Sequence, residues 1–409
     1  MNAPANRTVV VVALGIAQTL AWGSTYYLPA ILARPMAAEF GISPSLIYAM
    51  FSAALLVSAF TGPWVGRRID RNGGRSMLAA SSLVLAFALA LLGWAPTPVV
   101  LGIAWLVMGV GMSMGLYESA FASLVAAYGT EARRPITGVT LFAGFASTIA
   151  WPLTGLLDGT VGWRGACMVW AAVHLLVCAP LYVRLLPRGR QVAREQASNP
   201  AQPVGPMGQM GPAEPVEPLA PASPNRAMLL LGFVFASTWF TSTAMAAHLP
   251  AVLELAGASA VAAIAAAALV GPAQVAARLM EFSLLRNLHP LHSARLATLA
   301  HPAGVGILLS TGAPAASVFT SLHGGGNGLL TIAKGTLPLA VFGSIGYGLR
   351  QGVLGVPARF AQAVAPLAFG LALDLFGTGA LLITAALGLA SYAALAAMEK
   401  PVRTGNSPN

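Results

Sequence analysis

Leu28-Pro29-Ala30-Ile31-Leu32 returns 221 residues later as Leu249-Pro250-Ala251-Val252-Leu253. Three further echoes follow in the same order. Gly62-Pro63 matches Gly271-Pro272. Asp70 and Arg75, five apart, match Glu281 and Arg286, also five apart. Phe145-Ala146, Pro152-Leu153 and Gly155 match Phe360-Ala361, Pro366-Leu367 and Gly370. Each match alone is weak, because Gly and Pro are common in apolar helices. Four in order describe a chain whose second half repeats its first.

What repeats is membrane sequence. Of 409 residues, 57% are hydrophobic and only 8% charged, against about 25% charged in an ordinary soluble domain. The mean hydropathy is +0.74. That balance excludes a cytosolic enzyme, a nucleic-acid-binding domain and a disordered chain. The apolar runs are continuous rather than alternating, which excludes an outer-membrane barrel. They suit helices crossing about 30 Å of hydrocarbon. Twelve spans are expected, near 8–32, 45–65, 76–94, 98–126, 136–158, 164–185, 227–250, 258–280, 291–311, 314–340, 351–375 and 378–398. The fold class is therefore an all-α polytopic membrane protein with two six-helix bundles, 1–186 and 227–409. Residues 187–226 hold nine prolines and little aliphatic content, and read as a flexible surface linker. Six spans per half give both repeats one orientation, with a pseudo-twofold axis along the membrane normal and a binding cavity between the bundles.

The net charge of +10 reads first as a topology signal. With the N-terminus inside, eighteen Arg and Lys fall on the cytoplasmic side and two, Arg34 and Arg164, on the other; Lys334 and Arg359 fall within spans. Both termini and the linker are thus expected in the cytoplasm, and the chain in a bacterial inner membrane. No cleavable signal peptide is evident. Cys167 and Cys178 lie in one apolar run, where a disulfide is geometrically excluded. They read as small core residues.

The loop between spans 2 and 3, Gly66-Arg67-Arg68-Ile69-Asp70-Arg71-Asn72-Gly73-Gly74-Arg75, resembles the G-x-x-x-D-R-x-G-R-R/K signature of the major facilitator superfamily. Gly74 departs from it, standing where a cation is usual. Physically, Gly66 permits close helix approach. Asp70 suits a neighbouring helix N-terminus. Arg71 and Arg75 can pair with it or with other loop carboxylates. The expected device is a latch on the cytoplasmic side, formed by Gly66, Asp70, Arg71, Gly73 and Arg75, with a degenerate second copy at Arg278, Glu281 and Arg286; the alternative is that these arginines only mark topology. Trp151-Pro152-Leu153-Thr154-Gly155 resembles the G-P-x-x-G bend of the family's exporters, with Trp151 replacing the first glycine. Pro152 and Pro366 mark expected helix bends. The Trp22-Gly23-Ser24-Thr25-Tyr26-Tyr27 run and the Gly-Pro end of span 2 resemble a monocarboxylate-transporter-like bacterial branch.

Ionisable groups inside a membrane are costly and mark candidate sites. Glu118 in span 4, Lys334 in span 10 and Arg359 in span 11 stand out. Spans 4 and 10 are equivalent in the two halves, and the resemblance implies that spans 1, 4, 7 and 10 line the cavity. Glu118 is expected to be proton-sensitive. Arg359 or Lys334 is expected to hold a substrate carboxylate, Arg359 preferably because its fork suits two oxygens. The alternatives are a permanent Glu118 ion pair and a Lys334 that snorkels to the interface. Softer candidates are Tyr26 and Tyr27 with Gln18 and Trp22 in span 1, Trp239, Thr241 and His248 in span 7, and His323 with Asn327 in span 10. Tyr27 and His248 are equivalent by the Leu-Pro-Ala match. The blander alternative for each is core packing.

No Walker motif occurs, which argues against an ATPase within this chain. No cofactor or metal is expected, and no enzyme activity, since the few carboxylates are scattered. The expectation is a secondary transporter, acting as a monomer on a small organic solute, with a carboxylate as substrate and protons as the driving ion. An exporter of drugs or toxic compounds is the alternative. A transport-inactive sensor is the alternative from another class.

Overall fold

The computed structural model describes residues 6–187, 224–285 and 288–398. The described residues are almost entirely helical. Most of the linker, residues 188–223, and the gate residue Arg286 lie outside them. The second set of helices starts at Pro224, slightly before the expected boundary.

Caps and breakers set the helix ends. Helix α1 (Arg7–Ser24) starts behind an Asn6 side chain that accepts from Thr8 N, and α3 (Pro44–Asn72) behind Ser43, which accepts from Leu46 N. Between them α2 (Leu28–Phe40) continues α1 and ends on left-handed Gly41. Then come α4 (Arg75–Trp94), α5 (Pro98–Gly115), α6 (Tyr117–Tyr128), α7 (Arg133–Ala143), α8 (Ala146–Val173) and α9 (Ala179–Leu185). The second half holds α10 (Pro224–Leu255), α11 (Ala260–Ala267), α12 (Val270–Ser283), α13 (Pro290–Thr311), α14 (Ala316–Phe342), α15 (Tyr347–Phe376) and α16 (Leu381–Ala396). Helical bonding from Pro98 to Leu185 is nearly unbroken over 88 residues. Laid straight, it would reach about 130 Å, several bilayers. Reversals at Gly129 (φ 59°) and Gly162 (φ 71°) fold it back, in a backbone region that favours glycine. Grouped by such reversals, the helices are consistent with the twelve expected spans.

Large apolar side chains such as Phe60, Phe87, Leu176, Leu229 and Val261 point outward, as they do where the outer solvent is lipid. Buried Ala, Leu and Gly fill the interior. Cys167 and Cys178 are buried free thiols.

The halves meet most closely where α3 crosses α15. A Cβ on Gly66 would overlap the Gly348 carbonyl, and one on Gly352 would strike Gly62. Asp70, at the end of α3, accepts from Gly348 N and Leu349 N, both at 2.8 Å, capping the start of α15. The second copy answers in the reverse sense. Glu281 of α12 takes Arg133 Nη2, at the start of α7, at 3.3 Å, and Arg133 also donates to Leu288 O at 2.7 Å. So α3 reaches into the second half as α12 reaches into the first. A further equivalence survives. Tyr27 packs edge-on to Trp151, beside Pro152, while His248 Nε2 bonds Pro366 O at 2.8 Å.

Arg71 is exposed at the end of α3. The departure at Gly74 has a steric reason, since a Cβ there would overlap Ser123. Helix α8 runs through Pro152 and α15 through Pro366. A break in the fifth span falls at Gly144–Phe145, between α7 and α8. There Arg278 of the other half donates to Thr140 O at 2.8 Å, and its guanidinium fills the space a side chain on Gly144 would need.

At the opposite end, Glu39 takes Trp163 Nε1 at 2.6 Å and Arg164 Nε at 2.9 Å, and Arg164 also donates to Gly93 O at 3.0 Å. The Arg164 hydrogen bond holds the Glu39 carboxyl below its ordinary range.

Gly66→Val should lower thermal stability of the detergent-solubilised protein by about 1–3 kcal/mol, the usual cost of overpacking. Gly155→Ala, with nothing within 4 Å of its Cβ, should not. Tryptophan-fluorescence melting of both variants checks this, and equal melting would remove the steric account.

Candidate functional site

The expected carboxylate sits at a helix break that the apolar pattern hid. Span 4 is two helices. Leu116 adopts an extended conformation (φ −86°, ψ −169°) between α5 and α6, placing Glu118 in the first turn of α6. A carboxylate is favoured there by the helix dipole. The break frees backbone groups that hydrocarbon cannot satisfy. Gln18 Nε2 donates to Gly115 O at 2.6 Å, and Ser119 Oγ to Ser113 O at 2.6 Å. The run Gly109, Gly111, Gly115 was the available signal for this break.

Across the interface, Arg359 of α15 grips Glu118 with both carboxylate oxygens, at 3.2 and 3.1 Å from Nη2. The arginine side chain is almost fully buried; the carboxylate is a quarter exposed. Arg359 Nη1 donates to Gln362 Oε1 at 3.0 Å, and Gln362 Nε2 to Tyr26 OH at 3.3 Å. Tyr26 OH lies 3.4 Å from Thr243 Oγ1. One polar chain thus joins spans 4, 11, 1 and 7.

Lys334 does not snorkel. It is 8% exposed. Its Nζ sits 3.6 Å from the centre of the Trp239 ring, and among the described residues it has no hydrogen-bond partner. Trp239 in turn stacks on Trp22 (6.2 Å, 10°) across the halves. Tyr117, Phe121, Phe235, Trp239, Lys334 and Gln351 line a cavity of about 370 Å³ beside Glu118. On the other side of Glu118 and Arg359 lies a second, of about 340 Å³, walled by Gly62, Gly66, Gly348, Gly352 and small hydroxyl residues.

Of the expected residues, Glu118, Arg359, Lys334 and Tyr26 converge here. Tyr27 packs edge-on between Tyr26 and Trp151, at 5.5 and 5.8 Å, while His248 bonds Pro366 O. His323 and Asn327 line a separate chamber inside the second bundle. Gln362, Gln351 and Tyr117 were not singled out. Gln362, three residues after Arg359 on one helix face, was the legible one. The others carry no charge to betray them in an apolar run.

Known proteins agree with this architecture. The human organic anion transporter MFSD10 (TETRAN) superposes with a TM-score of 0.69 at 16% identity, covering 96% of this chain and all of that one. The E. coli fucose:proton symporter FucP superposes at 0.71 with 13% identity, covering 96% and 99%. A FucP structure in the outward conformation gives 0.70 at 14%, covering 95% and 98%. At such identities the likeness is one of fold. The family's sequence model matches residues 14–346, and on that match, over this pair of bundles, the chain belongs to the Major Facilitator Superfamily and is a multi-pass membrane transporter.

Proposed function

We propose that this protein carries a small organic monoanion, such as a monocarboxylate, by proton-coupled alternating access. One observation carries the reading: Lys334 Nζ is buried between the halves with no hydrogen-bond partner among the described residues. An unpaired buried charge is costly, and contact with an aromatic face recovers only about 0.5–2 kcal/mol. Lys334 and Arg359 stand nearest the carboxylate of Glu118. An anion offsets the excess of positive charge, and with Glu118 protonated both cations are free to bind it. Its body would lie among Tyr117, Phe121, Phe235 and Trp239, the aromatic side chains that wall the cavity beside Lys334.

Glu118 supplies the coupling. While ionised it occupies Arg359 Nη2. A proton on Glu118 weakens that hold and gives the substrate a second donor. Proton and anion then favour each other's binding. The Arg-rich end faces the cytoplasm by the positive-inside rule, in an inner membrane, with both termini there. Opening to that side breaks the Asp70–α15 and Arg133–Glu281 contacts, while the central site stays between the rocking bundles.

Purified protein in liposomes with an internal pH dye, screened with small carboxylates and with toxic cations, tests the proposal. Anion-driven proton flux is expected. Flux driven by cations alone would replace it with the efflux reading, and no flux with any solute would favour a transport-inactive sensor. Lys334→Met should weaken carboxylate binding about 10- to 100-fold, the worth of one charge-assisted hydrogen bond; undiminished binding would reject Lys334 as the anion site. Anion affinity should rise as pH falls in the parent protein and become insensitive to pH in Glu118→Gln. A retained pH dependence in that variant would remove Glu118 from the coupling.

The ion pair also makes a stability prediction. Glu118→Gln strands a buried guanidinium that stays protonated. Arg359→Gln strands a carboxylate that is partly solvated and can take a proton. Glu118→Gln should therefore melt at the lower temperature of the two, and the double variant should recover part of the loss. The reverse order would show that the pair is screened by water.

A further inference from the structure

A second titratable cluster lies inside the C-terminal bundle, away from Glu118. His301 of α13 and His323 of α14 are both buried, with Nδ1 atoms 3.0 Å apart and rings 5.0 Å apart. His301 Nε2 lies 2.9 Å from Thr384 Oγ1 of α16. The Thr384 hydroxyl already donates to Leu381 O at 2.9 Å. With its one proton so placed, Thr384 accepts from His301 Nε2–H. In the neutral ring this leaves His301 Nδ1 bare, so it accepts from His323 Nδ1–H. The network thereby assigns both tautomers and leaves His323 Nε2 as the basic nitrogen.

The pair borders a chamber of about 390 Å³ lined by hydroxyl and amide side chains, among them Thr238, Thr241, Thr298, Asn327 and Ser391. Thr238, Thr298 and Ser391 donate to carbonyls of their own helices, at 2.6, 2.8 and 2.7 Å. Their lone pairs remain to accept from water or from an imidazolium. Such a space is polar and roomy enough to hold water. Among the described residues, the two histidines are its only titratable lining groups.

The charged and titratable groups on the surrounding helices are engaged or placed elsewhere. On α10, Arg226 and Glu254 lie near opposite helix ends, and His248 is bonded to Pro366 O. On α12, Arg278 and Glu281 bond the first half. On α13, Arg295 donates to Leu395 O, His289 caps Leu291 N, and His292 lies in the same first turn. On α14, Lys334 lies against Trp239, and on α16 Tyr392 is exposed.

We propose that His301 and His323 form a site for a single proton, entered from the hydroxyl-lined chamber through His323 Nε2. One proton added there preserves every hydrogen bond of the network. A second would have to enter at His301 Nδ1, which already accepts, and would set two N–H groups head to head. The pair therefore stores one proton, and its gain or loss reports to α13, α14 and α16 together. Its part in coupling rests on the transport reading above; its existence as a one-proton site does not.

Histidine-selective 15N NMR of the full chain in liposomes, titrated from about pH 8 downward past the ordinary histidine range, tests the site. The two rings should move together through a single one-proton step. Thr384→Val, which keeps both rings, should separate their titrations, and Glu118→Gln should leave the joint step in place. Independent titration of the rings in the parent protein, or a joint step unaltered by Thr384→Val, would overturn the proposal. In the flux assay, His323→Gln should lower the rate of anion-driven proton movement while leaving in place the pH dependence of anion affinity that Glu118 sets. Unreduced flux would reject the coupling role. Should the parent protein show no solute-driven flux, the transport reading fails, while the NMR titration still decides the site.

Discussion

Hydrocarbon offers a stray charge or a loosened helical turn no water to bond with, so both must be satisfied within the protein. That requirement organises the interior of this molecule. Where α5 stops at Leu116, Gln18 and Ser119 take up the carbonyls left behind. Where α7 yields to α8, Arg278 arrives from the other bundle to bond Thr140 O. The start of α15 is capped by Asp70. Several of these repairs come from the opposite half, so local irregularity in one bundle becomes a contact between bundles.

The same logic makes the interface divisible. The joins at the Arg-rich end consist of a few directional hydrogen bonds and ion pairs, together with a close glycine crossing of α3 and α15. Beside them, Leu339 and Tyr347 of the second half pack into the apolar core of the first. Within each bundle, by contrast, packing is dense and apolar around Trp105, Trp170 and Phe369. Two stiff bodies joined by breakable polar contacts suit rigid-body motion about a central site.

At the centre the charges are not evenly matched. Glu118 stands at a helix N-terminus and is held by Arg359, whereas Lys334 rests on an aromatic face. The buried network leading from Arg359 through Gln362 to Tyr26 ties the first and second halves into one electrostatic unit. A change of charge at any member is therefore felt on both sides of the interface, where the low dielectric weakens it little.

Composition and periodicity were enough to establish membrane helices, two like halves and the three charges worth attention, because apolar length and the cost of buried charge act residue by residue. Asp70, which caps α15 across the interface, was legible for the same reason, its spacing from Arg75 repeating at Glu281. Other features depended on distant partners. The break before Glu118, the choice of Arg359 over Lys334 as its mate, the bond of His248 to Pro366 O away from the central cluster, and the meeting of His301 with His323 each join residues between 22 and 241 positions apart. A hydrogen bond is set by a few tenths of an ångström between atoms that chain order does not bring together. Only packing the helices decides it.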